Sequence, residues 1–563
     1  MAMAQDVPMS FIEVNNVRGT IYGIGASFHS RLDNPDLSWE VPKGSGLSPL
    51  FQQSLWIGGT AQSDNSLHLA GLQFGQGSGG GFDFWSGPLR LDDATIDLAT
   101  MEKYCHVWNL TKTEIDNFIA HHGDEGYVAP NDILTWPAHG DEGYAEYLAP
   151  FVDANGDGRY NPEDGDYPAI IGDQCLFYIF NDNYGPHSEF QGEALGIELH
   201  GMAYAFNAPD NEVLNNTVFF RYKIYNRSSE NYNNMYINIF NDWDIGDGWD
   251  DYVGCDVQHG TCYAYNAFVY DEDYGENPPV QLCALIAGPY MDPDGLDNPA
   301  YSGDCESVSY YSGTSYGNGA NFGNGIIDDE RLGMTGFGSF SNASSQTGDP
   351  HGAEEAYFVM RGYWRDGQRM QFGGMGYPGV SGTVGPECKY IYPGDSDPCN
   401  YGTFGMAPNG GYNIDGKFWT EEQVMNAPND RRGVSITGPF TLEAGGMQPL
   451  DFALTTVWND GDQSALSRIG MVVEQLHEEF NNFQTAVGEH PLKPESTFKA
   501  YPNPTQGTFV VEGTGRLAVM NLLGQVVMVC EISGQTQLTL PSGMYFLTLE
   551  NGQAVSTQKI VVE

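Results

Sequence analysis

The sequence predicts an all-β protein, a large β-sandwich body with long Gly/Tyr/Asp-rich insertions and one packing helix, followed by a small Ig-like β-sandwich at the C-terminus. Three observations carry this. The 563 residues include 72 Gly and 33 Tyr with only 17% charged residues, the mixture of aromatic strands and tight loops rather than of helical bundles. Segments 199–206, 217–225 and 232–240 alternate apolar and polar residues and are joined by Asn-rich turns. Only one long stretch, 464–487, keeps the helical period, through Leu466, Ile469, Val472, Val473, Leu476, Phe480 and Phe483.

Taken in order, residues 1–98 form a β-rich segment of short alternating runs, such as Leu67 to Leu72, with Gly75 to Gly81 a loop. Residues 99–190 hold a short helix and a calcium-loop region. Thr111 and Glu114 are spaced as a capping box for a helix to about His121, and Pro130 lies past its end. Residues 191–487 form the sandwich core, whose strands return at 356–363, 440–442 and 450–458 after an excursion over about 245–350. That excursion has too little aliphatic content for a core of its own, so disulfides, metal and aromatic packing are expected to order it. The helical stretch closes the body, 488–497 is a linker, and 498–563 resumes short strands as a separate domain.

The chain carries 23 Lys plus Arg against 74 Asp plus Glu, a formal charge of -51. This excludes ordinary nucleic-acid binding, which needs cations to replace phosphate counterions. So many carboxylates repel one another unless cations bind some of them, which makes divalent metal the expectation. No apolar run approaches transmembrane length. Ala2-Met3-Ala4 before Gln5 resembles the small-residue end of a signal peptide, with the mature chain expected to start at Gln5.

Eight cysteines precede residue 400 and one, Cys530, lies in the tail. An even set in an exported protein reads as a disulfide framework. Cys255 with Cys262, and Cys388 with Cys399, bracket short loops and are the expected pairs, and Cys530 is expected to pack as a small apolar residue.

The tail resembles the type A C-terminal sorting domain of the Bacteroidota type IX secretion system. The matching residues are Tyr501, Pro502, Asn503 and Pro504 at the first turn, Leu522-Leu-Gly524-Gln525 after a short strand, the turn 540–546 with Gly543 and Tyr545, and Lys559 near the terminus. The terminal Glu563 departs from the basic end commoner in the family. The resemblance implies passage through the type IX machinery and an extracellular or cell-surface location. The body, through Asn15-Asn-Val-Arg18, Trp39 to Lys43, Ser54 to Gly59, Phe84 to Leu89, Trp136 to His139 and Asp251 to Asp256, is similar to large secreted Bacteroidota proteins without known activity.

Asp153, Asn155, Asp157, Arg159 through its carbonyl, Asn161 and Asp164 stand at positions 1, 3, 5, 7, 9 and 12 of a loop with Gly158 at its turn. That spacing wraps oxygens around one Ca²⁺, in the manner of dockerin or thrombospondin-type loops. Asp242, Asp244, Asp247, Asp250 and Asp251 form a second cluster, readable as a metal site, a glycan lip with Trp243 and Trp249 as aromatic plates, or a hydrolase carboxylate pair. Asp292, Asp294 and Asp297 form a third cluster and Asp328, Asp329 and Glu330 a fourth. No Gly-x-Ser-x-Gly elbow, zinc helix or phosphate loop occurs, and His139, His200 and His351 read as structural histidines. The expected function is a secreted, calcium-stabilised structural or interaction protein, self-assembling into a surface layer or filament. The alternatives are a carbohydrate-binding adhesin or a secreted glycan-active hydrolase.

Overall fold

The alternating segments become the centres of two nine-stranded antiparallel sheets. The computed structural model describes residues 7–29, 39–73, 81–301, 303, 305, 318–380, 382–408, 418–486, 499–501, 505–521, 526–550 and 555–562. It divides into two units, Met1–Phe483 and Gln484–Glu563. The expected signal-peptide remnant and the 488–497 linker lie outside the described residues.

In the first sheet Tyr232–Trp243 lies between Gln52–Ala61 and Arg431–Leu442, with Gly336–Ser341 at one edge and Met9–Ile12 at the other. The second runs from Asp251–Asp256 through Thr261–Asn266, Val280–Ala287, Met447–Val457, Thr217–Asn226 and Ile197–Ala205 to Gln174–Asn181. Period-two geometry gives each strand two faces. Leu55, Ile57, Ile237 and Ile239 point from the first sheet, and Phe220, Tyr222, Phe452 and Leu454 from the second, into one shared core. The strands that the alternation marks thus lie at the middle of the sandwich, and others complete both sheets.

Both outer faces are covered as well. Trp56, Phe240, Val434 and Ile436, on the far face of the first sheet, pack against Ala356, Tyr357, Val359 and Met360 of a helix, Ala353–Met360. A strand was expected over 356–363. The residues buried there recur at helical and not alternate spacing, and Glu354 and Glu355 occupy the first turn, where the helix dipole favours acids. The second sheet is covered by Ala465–Ala486, the expected packing helix. Phe483 stacks on Phe206 at 4.0 Å between centroids, and Phe480 carries the Arg221 guanidinium on its ring at 5.8 Å. The short helix Lys112–His121 starts in the expected capping box between Thr111 and Glu114.

The segment 245–350 is part of the core, contrary to its reading as an excursion. It supplies Asp251–Asp256, Thr261–Asn266 and Val280–Ala287 to one sheet and Gly336–Ser341 to the other. Its aliphatic content is concentrated in Val280–Ala287, which is buried throughout, so the average composition concealed a central strand.

The disulfide expectation is also corrected. Cys399 bonds Cys305, 94 residues earlier, and Cys388 is a buried thiol. Cys255 and Cys262 face each other in register on adjacent strands, yet both are thiols in the apolar core. Burial pushes these thiols up, which disfavours the thiolate needed for exchange.

In the C-terminal unit, Thr508–Asn521 pairs with Val526–Thr539 along one edge and with Lys499–Tyr501 and Gly543–Glu550 along the other. Val555–Val562 completes this five-stranded sheet. Its core contains Phe509, Val511, Leu517, Val519, Leu547, Leu549 and Ile560, with Cys530 half-buried against it. Tyr501 donates to Glu512 at 3.0 Å, and Tyr545 is buried with its hydroxyl on the Pro541 carbonyl. Gly543 opens a strand and Lys559 lies within the last one, whereas Pro502, Asn503, Pro504 and Gly524 lie outside the described residues.

Candidate metal centre

The second acidic cluster grows from the end of the central strand of the first sheet. Asp242 is its penultimate residue, paired in register with Arg432, and is 2% exposed. The chain then leaves the sheet, turns through Gly246 and Gly248, and enters the other sheet at Asp251. Both glycines pass directly over carboxylates. A Cβ on Gly248 would lie 2.0 Å from Asp244 Oδ1, and one on Gly246, at φ +69°, 2.2 Å from Asp271 Oδ1.

This crossing brings Asp242, Asp244 and Asp430 together, with one carboxylate oxygen from each inside a mutual span of 4.8 Å. Arg432 braces them from within the sheet. Its Nε lies 3.2 Å from Asp242 and 3.5 Å from Asp349, and its Nη1 lies 3.1 Å from Asp430. One guanidinium therefore faces several acids, and the local charge stays negative. Asp244, Asp247, Asp430, Glu272 and Asp273 line a cavity of about 390 Å³ whose rim includes Trp249.

The titration behaviour follows from this crowding. Burial, then Asp430, pushes Asp244 up to about 7. Burial, then Asp271 and Asp247, pushes Asp250 up to about 6. Asp242 and Asp251 are pushed well above the carboxylate range, chiefly by burial. Fully buried Asp251 accepts Ile245 N–H at 3.0 Å through Oδ2, while its Oδ1 has no donor among the described residues. A divalent cation would invert this balance by supplying the missing positive charge. The oxygen-only donor set suits Ca²⁺, which takes 6–8 oxygens from carboxylates, carbonyls and water.

Of the residues expected in this cluster, Asp242 and Asp244 converge, and Asp247 shares the cavity wall. Asp251 turns inward as a brace. Asp430, Asp271, Asp349 and Arg432 escaped the sequence reading because they stand outside the 242–251 run; strand pairing delivers Arg432 and its neighbour Asp430, whereas Asp271 and Asp349 come from segments between strands. The aromatic expectation divides. Trp249 is 64% exposed at the cavity rim, whereas Trp243 is fully buried in the sandwich core and is no glycan plate. Trp243 follows the inward phase of Ile237 and Ile239, which places it in the core between the two sheets and not on the face that carries Asp242.

The 153–164 segment, expected to hold calcium, lies between Phe151–Val152 and the turn Pro162–Asp164 and is wound around its acids. Asp153 accepts Gly156 N–H at 2.6 Å and Gly158 N–H at 2.7 Å, Asp157 accepts Arg159 N–H at 2.8 Å, and Asn161 donates to Asp164 at 2.7 Å. Backbone donation, above all from Gly158, holds the Asp153 carboxyl below its usual range. Asn155 donates to Asp157 at 3.3 Å. Asp166, which the spacing did not single out, is buried and closes the loop by accepting Ala154 and Asn161 N–H, both at 2.8 Å.

The third and fourth clusters form one region. Asp328 accepts the N–H groups of Asp294 and Gly295 at 2.8 Å, and Asp297 accepts Gly325 N–H at 2.9 Å. Buried Glu330 accepts from Asn298, while Asp292 instead anchors Thr441 and Asp329 accepts from Asn324. His139 and His200 are structural in their contacts, whereas His351 is exposed and offers its backbone N–H to Glu355. His139 bonds Tyr160 N–H and the Glu146 carbonyl, and His200 bonds Glu198, itself paired with Arg227.

Residues 499–563 match the family model described as a secretion system C-terminal sorting domain. The protein is accordingly handled by the type IX machinery and is delivered outside the cell, for surface attachment or release. Among the described residues no helix is long and apolar enough to cross a membrane. No curated protein matches the chain at a significant level. Among solved structures a polysaccharide lyase is similar over 75% of this chain and 37% of its own, at 6% identity and a TM-score of 0.18. The chain thus spans little more than a third of that protein.

Proposed function

We propose that this exported protein is a calcium-dependent interaction protein of the cell exterior, in which the Asp242–Asp244–Asp430 centre holds Ca²⁺ beside Trp249 and presents it to a glycan. The observation that carries this is the convergence of three carboxylates within 4.8 Å at the wall of an open acidic cavity. Oxygens contributed from one side leave coordination positions for outside ligands, and paired sugar hydroxyls are oxygen donors of the required kind. Trp249 adds an exposed aromatic face of the sort on which sugar rings pack. The 153–164 loop is a second calcium site in this reading, with a stabilising role.

Calcium titration followed by glycan-array binding, with and without chelator, tests the reading. Calcium-dependent binding that Trp249→Ala abolishes while calcium uptake persists is the expected result. Glycan binding indifferent to chelation, or calcium uptake unchanged in Asp244→Asn, would overturn it. Light scattering in the same buffers tests the structural alternative, in which calcium drives self-assembly.

A further inference from the structure

A second cavity, of about 410 Å³, lies toward the opposite end of strand Arg431–Leu442 and has the reverse charge. It reaches Gly438 and Pro439, six and seven residues along the strand from Arg432, or roughly 20 Å at the rise of an extended chain. In a chain with 23 Lys and Arg against 74 acids, three cations converge on it, namely Arg361, Arg369 and Lys389. Among the described residues Asp292 is its one acidic lining residue, and that carboxylate is occupied by the N–H and hydroxyl of Thr441 at 2.7 and 2.8 Å.

The two arginines are held by aromatic rings and backbone carbonyls, and Lys389 lies over aromatic rings. Arg361 follows the end of helix Ala353–Met360, donates Nε to the Tyr357 carbonyl at 3.2 Å and lies 4.4 Å from the Tyr357 ring centre. Arg369 donates Nη1 to the Arg361 carbonyl at 3.0 Å and lies 4.6 Å from the Tyr363 ring. The Lys389 ammonium lies 4.0 Å from the Tyr401 ring and 5.1 Å from Phe404. Among the described residues neither Arg361 nor Arg369 forms a salt bridge. Rings fix the direction of a cation without neutralising it, so the two guanidiniums keep their positive charge for an incoming group. Guanidinium forks match oxyanions, and Tyr236, Tyr401 and Phe404 add flat walls to the same cavity. Its volume falls in the range of small-ligand sites and is far too small for a folded partner.

We propose that this cavity binds a ring bearing an oxyanion, namely an acidic sugar residue carrying a carboxylate or a sulfate. The cations take the oxyanion and the aromatic walls take the ring. This site is independent of the calcium centre and of its assigned role.

Calorimetry on the full chain tests the proposal, using glucuronate, glucose 6-sulfate, glucose and inorganic sulfate as probes. Glucuronate or the sulfated sugar is expected to bind at least about tenfold more tightly than glucose, and their order identifies the preferred oxyanion. Arg369→Gln is expected to weaken that binding by about tenfold or more, and Arg361→Gln likewise. Melting temperature is measured for each variant. Should Arg369→Gln unfold, Arg369→Lys replaces it, keeping charge while losing the fork, with a smaller but definite loss expected. Chelator and Trp249→Ala are expected to leave this binding unchanged, which separates it from the glycan reading above. Equal binding of glucose, absence of binding by both acidic probes, or affinity unaltered in the arginine variants would overturn the proposal. Inorganic sulfate bound as tightly as the acidic sugars would overturn the role of the ring.

Discussion

Replacing Asp244 by Asn is expected to change the sign of its effect on stability with calcium. Its carboxylate lies with those of Asp242 and Asp430 inside 4.8 Å, and two unit charges at that distance repel by about 3 kcal/mol at the effective dielectric of a protein site. Arg432 and partial protonation offset much of this, leaving a net penalty of about 2 kcal/mol in the metal-free protein. In chelator, Asp244→Asn removes that penalty and the variant is more stable than the parent. With calcium at about a hundred times its dissociation constant, the parent gains about 2.7 kcal/mol and the variant, lacking a ligand, gains much less. The pH dependence has a definite sign. Because the folded carboxyl titrates near 7 against an ordinary 3.8, the stability it contributes is complete below about 3.8 and lost as pH rises through about 7. Chelated parent protein therefore melts at progressively lower temperature from pH 5 to 8, and the variant shows a flatter slope. Urea unfolding and thermal melts across that range, with and without calcium, measure all three effects. A variant less stable than the parent in chelator, or an equal calcium gain in both proteins, would refute the reasoning.

Other expectations concern the frame and the export signal. Asp451 sits between Arg221 at 2.7 Å and Arg331 at 2.8 Å; burial raises its carboxyl, but the two arginines more than offset this and lower it. Asp451→Asn should cost about 3–5 kcal/mol at neutral pH by leaving two buried cations uncompensated. The parent's share of this stability is present above about pH 4 and lost as pH falls through the lowered folded value, which an acid denaturation series can follow. Peptide mapping without reduction should yield a Cys305–Cys399 linked peptide, and Cys399→Ser should cost up to about 4–5 kcal/mol for so long a loop; a Cys388–Cys399 peptide would contradict the fold. Deleting 499–563 should leave the product inside the cell envelope, measured by fractionation, with calcium binding by the body intact because its sheets close within Met1–Phe483.

What the sequence disclosed depended on how local the signal was. Strands 199–206, 217–225 and 232–240, the capping box at Thr111 and the helix ending near Ala486 are written in short-range periodicity, and all appear. The helix Ala353–Met360 reads as a strand in the sequence because Tyr357, Phe358 and Val359 favour extended backbone in isolation, while packing against Trp56 and Phe240 decides otherwise. Val280–Ala287 was overlooked because glycine and acid on either side diluted its apolar run. In the candidate metal centre the Asp242-to-Asp251 stretch is legible as an acidic cluster, yet Asp430 and Arg432 join it only through the register of two strands nearly two hundred residues apart. The cation-lined cavity had no signal at all, since Arg361, Arg369 and Lys389 meet through separate turns of chain.

Diffraction from crystals soaked in a calcium-mimicking lanthanide, with anomalous difference maps calculated from the parent and from Asp244→Asn, tests the central claim most directly. A peak among the carboxylates of Asp242, Asp244 and Asp430 in the parent, lost in the variant while any peak in the 153–164 loop persists, is the predicted result. A parent map with density in the loop and none at the sheet end would contradict the account.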